Sequence, residues 1–153
     1  MNFKSIIVLL TASLILFFST LISWYEGAQI LDDPLEWDYT AIFSNWINGE
    51  VTIGKDIVVF DYFIYAAKFS PVFPLLMVIS LVVIMFQIFF LLFKNNQKIL
   101  KIFFVVITFV FGIIALMLFN SYTMGLKIFS LFFGVLSIVS CIYFCVNLLK
   151  KSN

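Results

Sequence analysis

Four apolar runs of helix length dominate the chain: Ser5 to Ser23, Val72 to Phe93, Ile102 to Phe119 and Ile128 to Leu149. Each approaches the roughly 20 helical residues, at about 1.5 Å rise apiece, that cross a hydrocarbon core about 30 Å thick. A bilayer offers no water to free backbone amides, so a spanning chain is either helical or a closed barrel. These runs lack the apolar/polar alternation of barrel strands, so helices are expected. Composition points the same way. With 64% hydrophobic residues, 21 Phe among 153 positions and 11% charged residues, the polar surface is too small to cover a soluble globule. The expected fold is an all-α integral membrane protein, one membrane domain over 1–153, with transmembrane helices at 5–23, 72–93, 102–119 and 128–149 forming a four-helix bundle. The lipid bilayer is its first partner, and no nucleic-acid partner is expected.

Charge orients this arrangement. All eight carboxylates lie between Glu26 and Asp61, and every other charge is a lysine, since arginine is absent. Lys4, then Lys94, Lys98 and Lys101, then Lys150 and Lys151 flank alternate ends of the runs and belong on the cytoplasmic side. Lys55, Lys68 and Lys127 fall on the other side. Both termini are therefore expected in the cytoplasm, with the acidic 24–70 loop extracytoplasmic. A cleaved signal peptide is the competing reading of the first helix. Its run from Ile6 to Ile22 is long for a signal core, and Leu21-Ile22-Ser23 is a poor small-x-small cleavage pattern, which favours an uncleaved anchor. Cleavage would leave three helices and an external start.

The membrane runs are poor in chemistry. No Asp, Glu, Lys, Arg or His lies in the middle of any of them, although proton relays and ion sites are built from such residues. Without histidine, arginine or an embedded carboxylate, neither a nucleophile-base pair nor a metal-water site can be assembled in the bilayer. No enzyme activity, catalytic residue, cofactor or metal is expected. Cys141 and Cys145 stand one turn apart but are too few for a metal site, and they read as packing residues. Ser130, Gly134, Ser137, Cys141 and Cys145 share one helix face, as do Thr108, Gly112 and Ala115. Small residues let membrane helices approach closely, so the two stripes are expected to pair, within one chain or in a homo-oligomer. Gln87 is read as an interhelical hydrogen bond.

The outer loop carries the functional question. It holds all three tryptophans and eight acids against two lysines, a formal charge of minus six. An amphipathic helix is expected over 34–48: Asp33 caps it, Pro34 opens it, Glu36 stands three after the cap, and Gly49 ends it. Leu35, Tyr39, Ile42, Phe43, Trp46 and Ile47 fall on its apolar face, with Glu36, Asp38, Ser44, Asn45 and Asn48 opposite. Membrane-surface helices usually present lysine or arginine, whereas this one presents acids, so docking on its own bundle or on a partner is expected. Beyond it, Val51 to Val59 reads as a hairpin turning at Gly54-Lys55, and Asp61 as the cap of a helical turn through Ala67. The clustered acids Asp32, Asp33, Glu36 and Asp38 lack calcium-loop spacing and read as caps and solvated groups.

One resemblance attaches to this loop. Ser23-Trp24-Tyr25-Glu26-Gly27, Asp33-Pro34 with Trp37, Gly49-Glu50-Val51, and Tyr65-Ala66-Ala67-Lys68-Phe69 before Pro71 and Pro74 resemble the YjdJ-like group of short, uncharacterised bacterial membrane proteins. The resemblance covers roughly the first 90 residues, where that two-helix pattern stops, and makes the last helix pair an extension. It implies a bacterial cell-membrane location and carries over no functional residue. The leading expectation is a non-enzymatic interaction or accessory module. In it, Trp37, Phe43 and Trp46 contact a membrane or envelope protein. A small transport or permeability component is the alternative, and a membrane enzyme using a loop carboxylate is a remote one.

Overall fold

Local signals set where the helices begin and end. Asn96 caps one of them by accepting the Ile99 amide at 3.3 Å, and Pro74 sits in the first turn of another, where no intrahelical amide bond is lost. The structure, a computed structural model, describes residues 3–149, with side chains as far as Val146. Lys150 and Lys151 lie outside the described residues. Every regular element among those residues is helical: α1 (Phe3–Gly27), 3₁₀ segments Ala28–Asp32 and Pro34–Glu36, α2 (Trp37–Thr40), α3 (Ile42–Asn48), a 3₁₀ turn Gly54–Asp56, α4 (Val59–Phe69), α5 (Val72–Phe93), α6 (Gln97–Phe119) and α7 (Met124–Leu149). Four spans, Phe3–Asp32, Val72–Phe93, Gln97–Phe119 and Met124–Val146, are long and apolar enough to cross a membrane. The chain divides into two compact units, one ending at Ile84 and the other beginning at Met85.

In the first unit, α4 packs along α1. Ser19, Ser23 and Gly27, four residues apart, are all buried on one face of α1. The approach is closest at Gly27, where a Cβ would stand 1.9 Å from the Tyr62 carbonyl oxygen. Ser19 settles its hydroxyl on the Leu16 carbonyl at 3.1 Å, a bond within its own helix that leaves the face smooth. This stripe is the same small-residue device expected for the last two helices, here built from two serines and a glycine.

In the second unit, a short turn folds α7 back along α6. Ser137 Oγ donates to the Thr108 carbonyl at 2.8 Å and Ser130 Oγ donates to the Ala115 carbonyl at 2.7 Å, so the two helices run antiparallel. Gly112 lies opposite Ser137, and Gly134 opposite Ala115. Cys141 and Cys145, placed on the same stripe from sequence, are exposed thiols; at that level of α7 the packed side has passed to Ser140, which is buried, and Tyr143, which meets α6. Gln87 has no hydrogen-bond partner among the described residues, so the expected interhelical bond is not made. Aromatic rings extend the packing: Phe89 stacks on Phe103 at 3.7 Å between centroids, and Phe104 meets Tyr143 at 4.2 Å. A Cβ at Gly112 would lie 3.3 Å from Ser137 Oγ. Gly112→Leu is therefore expected to cost about 1–3 kcal/mol by forcing the helices apart, against about 0.6 kcal/mol for Ser137→Ala. Thermal melts in detergent compare the two.

Candidate interaction surface

The 28–69 segment builds a small core of its own. Ile30, Ala41, Val51, Ile57 and Tyr65 are buried together, with Trp37 and Tyr62 packed against them. Asp61, Tyr65 and Lys68 recur at spacings of four and three on α4, and each holds a different part of the preceding chain. Asp61, fully buried, accepts the Phe43 amide at 2.9 Å, the Ser44 amide at 2.8 Å and the Ser44 hydroxyl. It therefore caps α3 from 17 to 18 residues away, not the helix it belongs to. Ser44 Oγ in turn accepts the Val58 amide at 2.8 Å. Tyr65 donates its phenol to Asp33 at 3.3 Å; burial, with Asp33's charge beside it, pushes that phenol above its ordinary value.

Lys68 Nζ lies 2.7 Å from Glu36 Oε2 and also donates to the Thr40 hydroxyl, which donates to the same carboxylate oxygen at 2.7 Å. The bond from Lys68 holds Glu36 below the ordinary carboxylate range, with burial opposing it and Thr40 assisting. A lowered folded-state value contributes stability that is complete above the unfolded value near 4.5 and is lost as pH falls through the folded one. Acidification from about pH 6 to about pH 3 is thus expected to lower the melting temperature of wild type more than that of Glu36→Gln. Parallel pH-dependent melts check this, and equal slopes would contradict it.

Two expected elements are replaced. The 34–48 helix is three pieces, broken at Ala41 (φ −79°, ψ 53°), and Asp33 makes no side-chain cap at Pro34 because its carboxylate faces Tyr65. The hairpin over Val51 to Val59 is absent; Val51 and Ile57 bury in the loop core around the Gly54–Asp56 turn. Side chains take the backbone groups a ladder would have used. Asn45 Oδ1 accepts the Val51 amide at 3.1 Å, and Asn48 donates to the Asp56 carbonyl at 2.7 Å. Gly49, at φ +80°, makes the turn out of α3 in a conformation other residues rarely adopt.

The most consequential difference is which side of this chain faces inward. Thr40, Ala41 and Ser44 are fully buried, and Asn45 reaches back to the Trp37 carbonyl at 3.2 Å. Leu35, Tyr39, Ile42, Phe43, Trp46 and Ile47 are all exposed, Trp46 at 83% and Leu35 at 86%. Phe60 extends this surface, its ring 5.8 Å from that of Phe43. The three aromatic residues singled out from sequence separate. Phe43 and Trp46 stand on the outer surface, whereas Trp37 turns inward and donates its indole N–H to the Ile30 carbonyl at 2.8 Å. Asp38 is exposed at the edge of the apolar surface. Among the described residues, no group of three or more His, Cys, Asp or Glu side chains is placed to hold a metal ion.

The span that carries this surface is also the span with relatives. A family model described as Domain of unknown function (DUF4306) matches residues 6–93. The chain belongs to that family. It is also 36% identical, over 91 residues, to the "Uncharacterized protein YjdJ" of Bacillus subtilis (strain 168), a match covering 56% of this chain and 84% of the relative. No solved structure matches the chain. The family span covers α1 from Ile6 onward and all of α2 to α5, and with them the Gly27 contact, the buried Asp61 and the outward apolar surface; α6 and α7 lie beyond it.

Proposed function

We propose that this protein is a non-enzymatic accessory module of a bacterial cell membrane. Its four long helices span the bilayer with both termini in the cytoplasm, and the 24–70 segment docks a membrane or envelope protein on the outer side. The lysine distribution supports the orientation, and the scant burial of the long helices supports lipid as their solvent: only 6–17% of their most apolar windows is covered. The single observation that carries the docking reading is the inverted α2–α3 segment. A chain free to choose would bury Trp46, Tyr39 and Ile42 and hydrate Ser44; here the polar side is committed to Asp61 and the large apolar side chains face out. Exposed aromatic anchors of this kind are what protein interfaces bury at their centres.

The docking residues in this reading are Tyr39, Phe43 and Trp46, with Leu35 and Ile42 beside them; Trp37 supports them from inside. Cross-linking the tagged protein in its native membrane and identifying the adducts by mass spectrometry tests it. A specific protein adduct is expected, falling at least tenfold with Trp46→Ala, about 1.4 kcal/mol or more, at unchanged membrane insertion. An adduct unaffected by Trp46→Ala contradicts the assignment.

A further inference from the structure

Beside the turn that joins α6 to α7, the two helices leave an open groove of about 660 Å³. Small residues, Ala115 and Gly134, line it together with Leu116 and Phe119 of α6 and Val135 of α7. Among the described residues, its only charged lining group is Lys127. That lysine stands in the first turn of α7, where the helix dipole disfavours a cation, and it makes no ion pair among the described residues. Its position therefore serves neither the helix nor a salt bridge. A hydrocarbon-lined groove ending in one free ammonium is complementary to a molecule with an apolar tail and an anionic head. A second copy of the chain fits less well, because every carboxylate lies between Glu26 and Asp61, and α5, α6 and α7, the other apolar helices that could fill such a groove, carry none; on α1 the one carboxylate is Glu26, next to its end.

We propose that this groove binds an anionic phospholipid, with an acyl chain lying in the groove along the seam of α6 and α7 and the headgroup phosphate on Lys127. The inference rests on the membrane-spanning reading given above. Lysine acts here as a point charge for phosphate, and one such residue at a bilayer surface favours an anionic over a neutral lipid by about fivefold.

Native mass spectrometry of the detergent-purified protein, titrated with phosphatidylglycerol or with phosphatidylcholine of identical chains, tests the proposal. Wild type is expected to retain phosphatidylglycerol about fivefold better. Lys127→Gln removes that preference, and Val135→Trp, which fills the groove, lowers retention of both lipids; both positions are exposed, and helix content by circular dichroism confirms folding. A preference that survives Lys127→Gln, equal retention of the two lipids by wild type, or a groove occupied in a dimer that excludes lipid would each overturn it. Alkaline extraction of membranes separates the two levels of the argument. A chain released by alkali overturns the membrane reading itself, and a resistant chain without headgroup preference overturns the lipid site alone.

Discussion

Replacing Gly27 by alanine is expected to break the packing of α4 on α1 and to loosen the whole 28–69 segment. A methyl group there would stand 1.9 Å from the Tyr62 carbonyl oxygen and 2.4 Å from its carbonyl carbon. Overpacked side chains usually cost 1–3 kcal/mol because neighbours can turn aside; here the neighbour is backbone, so the cost is expected at the upper end, about 3 kcal/mol or more. That is a large share of the 5–15 kcal/mol by which domains are typically stable. Gly49 provides the contrast, since nothing lies within 4 Å of its Cβ position and a substitution there strains only the backbone. Melts in detergent followed by tryptophan fluorescence report the change, because Trp37 is packed in the loop core. A Gly27→Ala protein that melts with wild type would show that the two helices do not meet as described.

The second large effect is expected at Asp61. Asp61→Ala strands two backbone amides and a hydroxyl that now share one carboxylate, all of them at or near the buried start of α3. Hydrogen bonds to a charged acceptor are worth about 1.5–3 kcal/mol each and the orphaned donors are buried, so a total loss of about 3–5 kcal/mol is expected. Asp61→Asn keeps the shape but turns an NH₂ toward a donor, and should recover only part of it. Ser44→Ala, which removes one arm of the network, is expected to cost about 1–2 kcal/mol. Hydrogen exchange at the Phe43 and Ser44 amides distinguishes these cases: protection falls with Asp61→Ala, and retained protection would contradict the capping role.

The sequence discloses the parts that continuous apolar runs dictate. The four helices long and apolar enough to cross a membrane are legible to within a few residues, and α1, α6 and α7 only extend further into their flanks than expected. Thr108, Gly112 and Ala115 meet Ser130, Gly134 and Ser137 because small residues at helical spacing mark a close approach whatever surrounds them. The same signal at Ser19, Ser23 and Gly27 has no visible partner in the sequence, since that partner is α4, a short helix in a segment that reads mostly as loop. Family membership was also legible, through residue runs that lie within the matched span.

The interior of the loop is not legible for a physical reason. Amphipathic patterning leaves the polar face to water, whereas over 34–48 Thr40 and Ser44 are buried and Ser44 and Asn45 are committed to partners within the loop; the apolar face, expected on the bundle or on a partner, is exposed. The face of α3 is decided by Asp61, which is remote in sequence and needs the amides of Phe43 and Ser44 near it to remain buried. A local pattern cannot report that demand. The spacing of Asp61, Tyr65 and Lys68 on one helix face could have done so, since three polar groups aligned on an otherwise apolar helix need partners, and Asp33, Glu36, Thr40 and Ser44 supply them. Residue type alone does not separate Trp37 from Trp46, although the two point to opposite sides of the segment.

The account stands or falls on whether the outward apolar surface meets another protein. A photo-crosslinking amino acid placed at position 46, and in a second strain at position 37, then irradiated in intact cells, asks this directly. A discrete protein adduct at position 46, with none at the inward position 37, is the predicted result. Adducts to lipid alone at position 46, or equal capture from both positions, would contradict it.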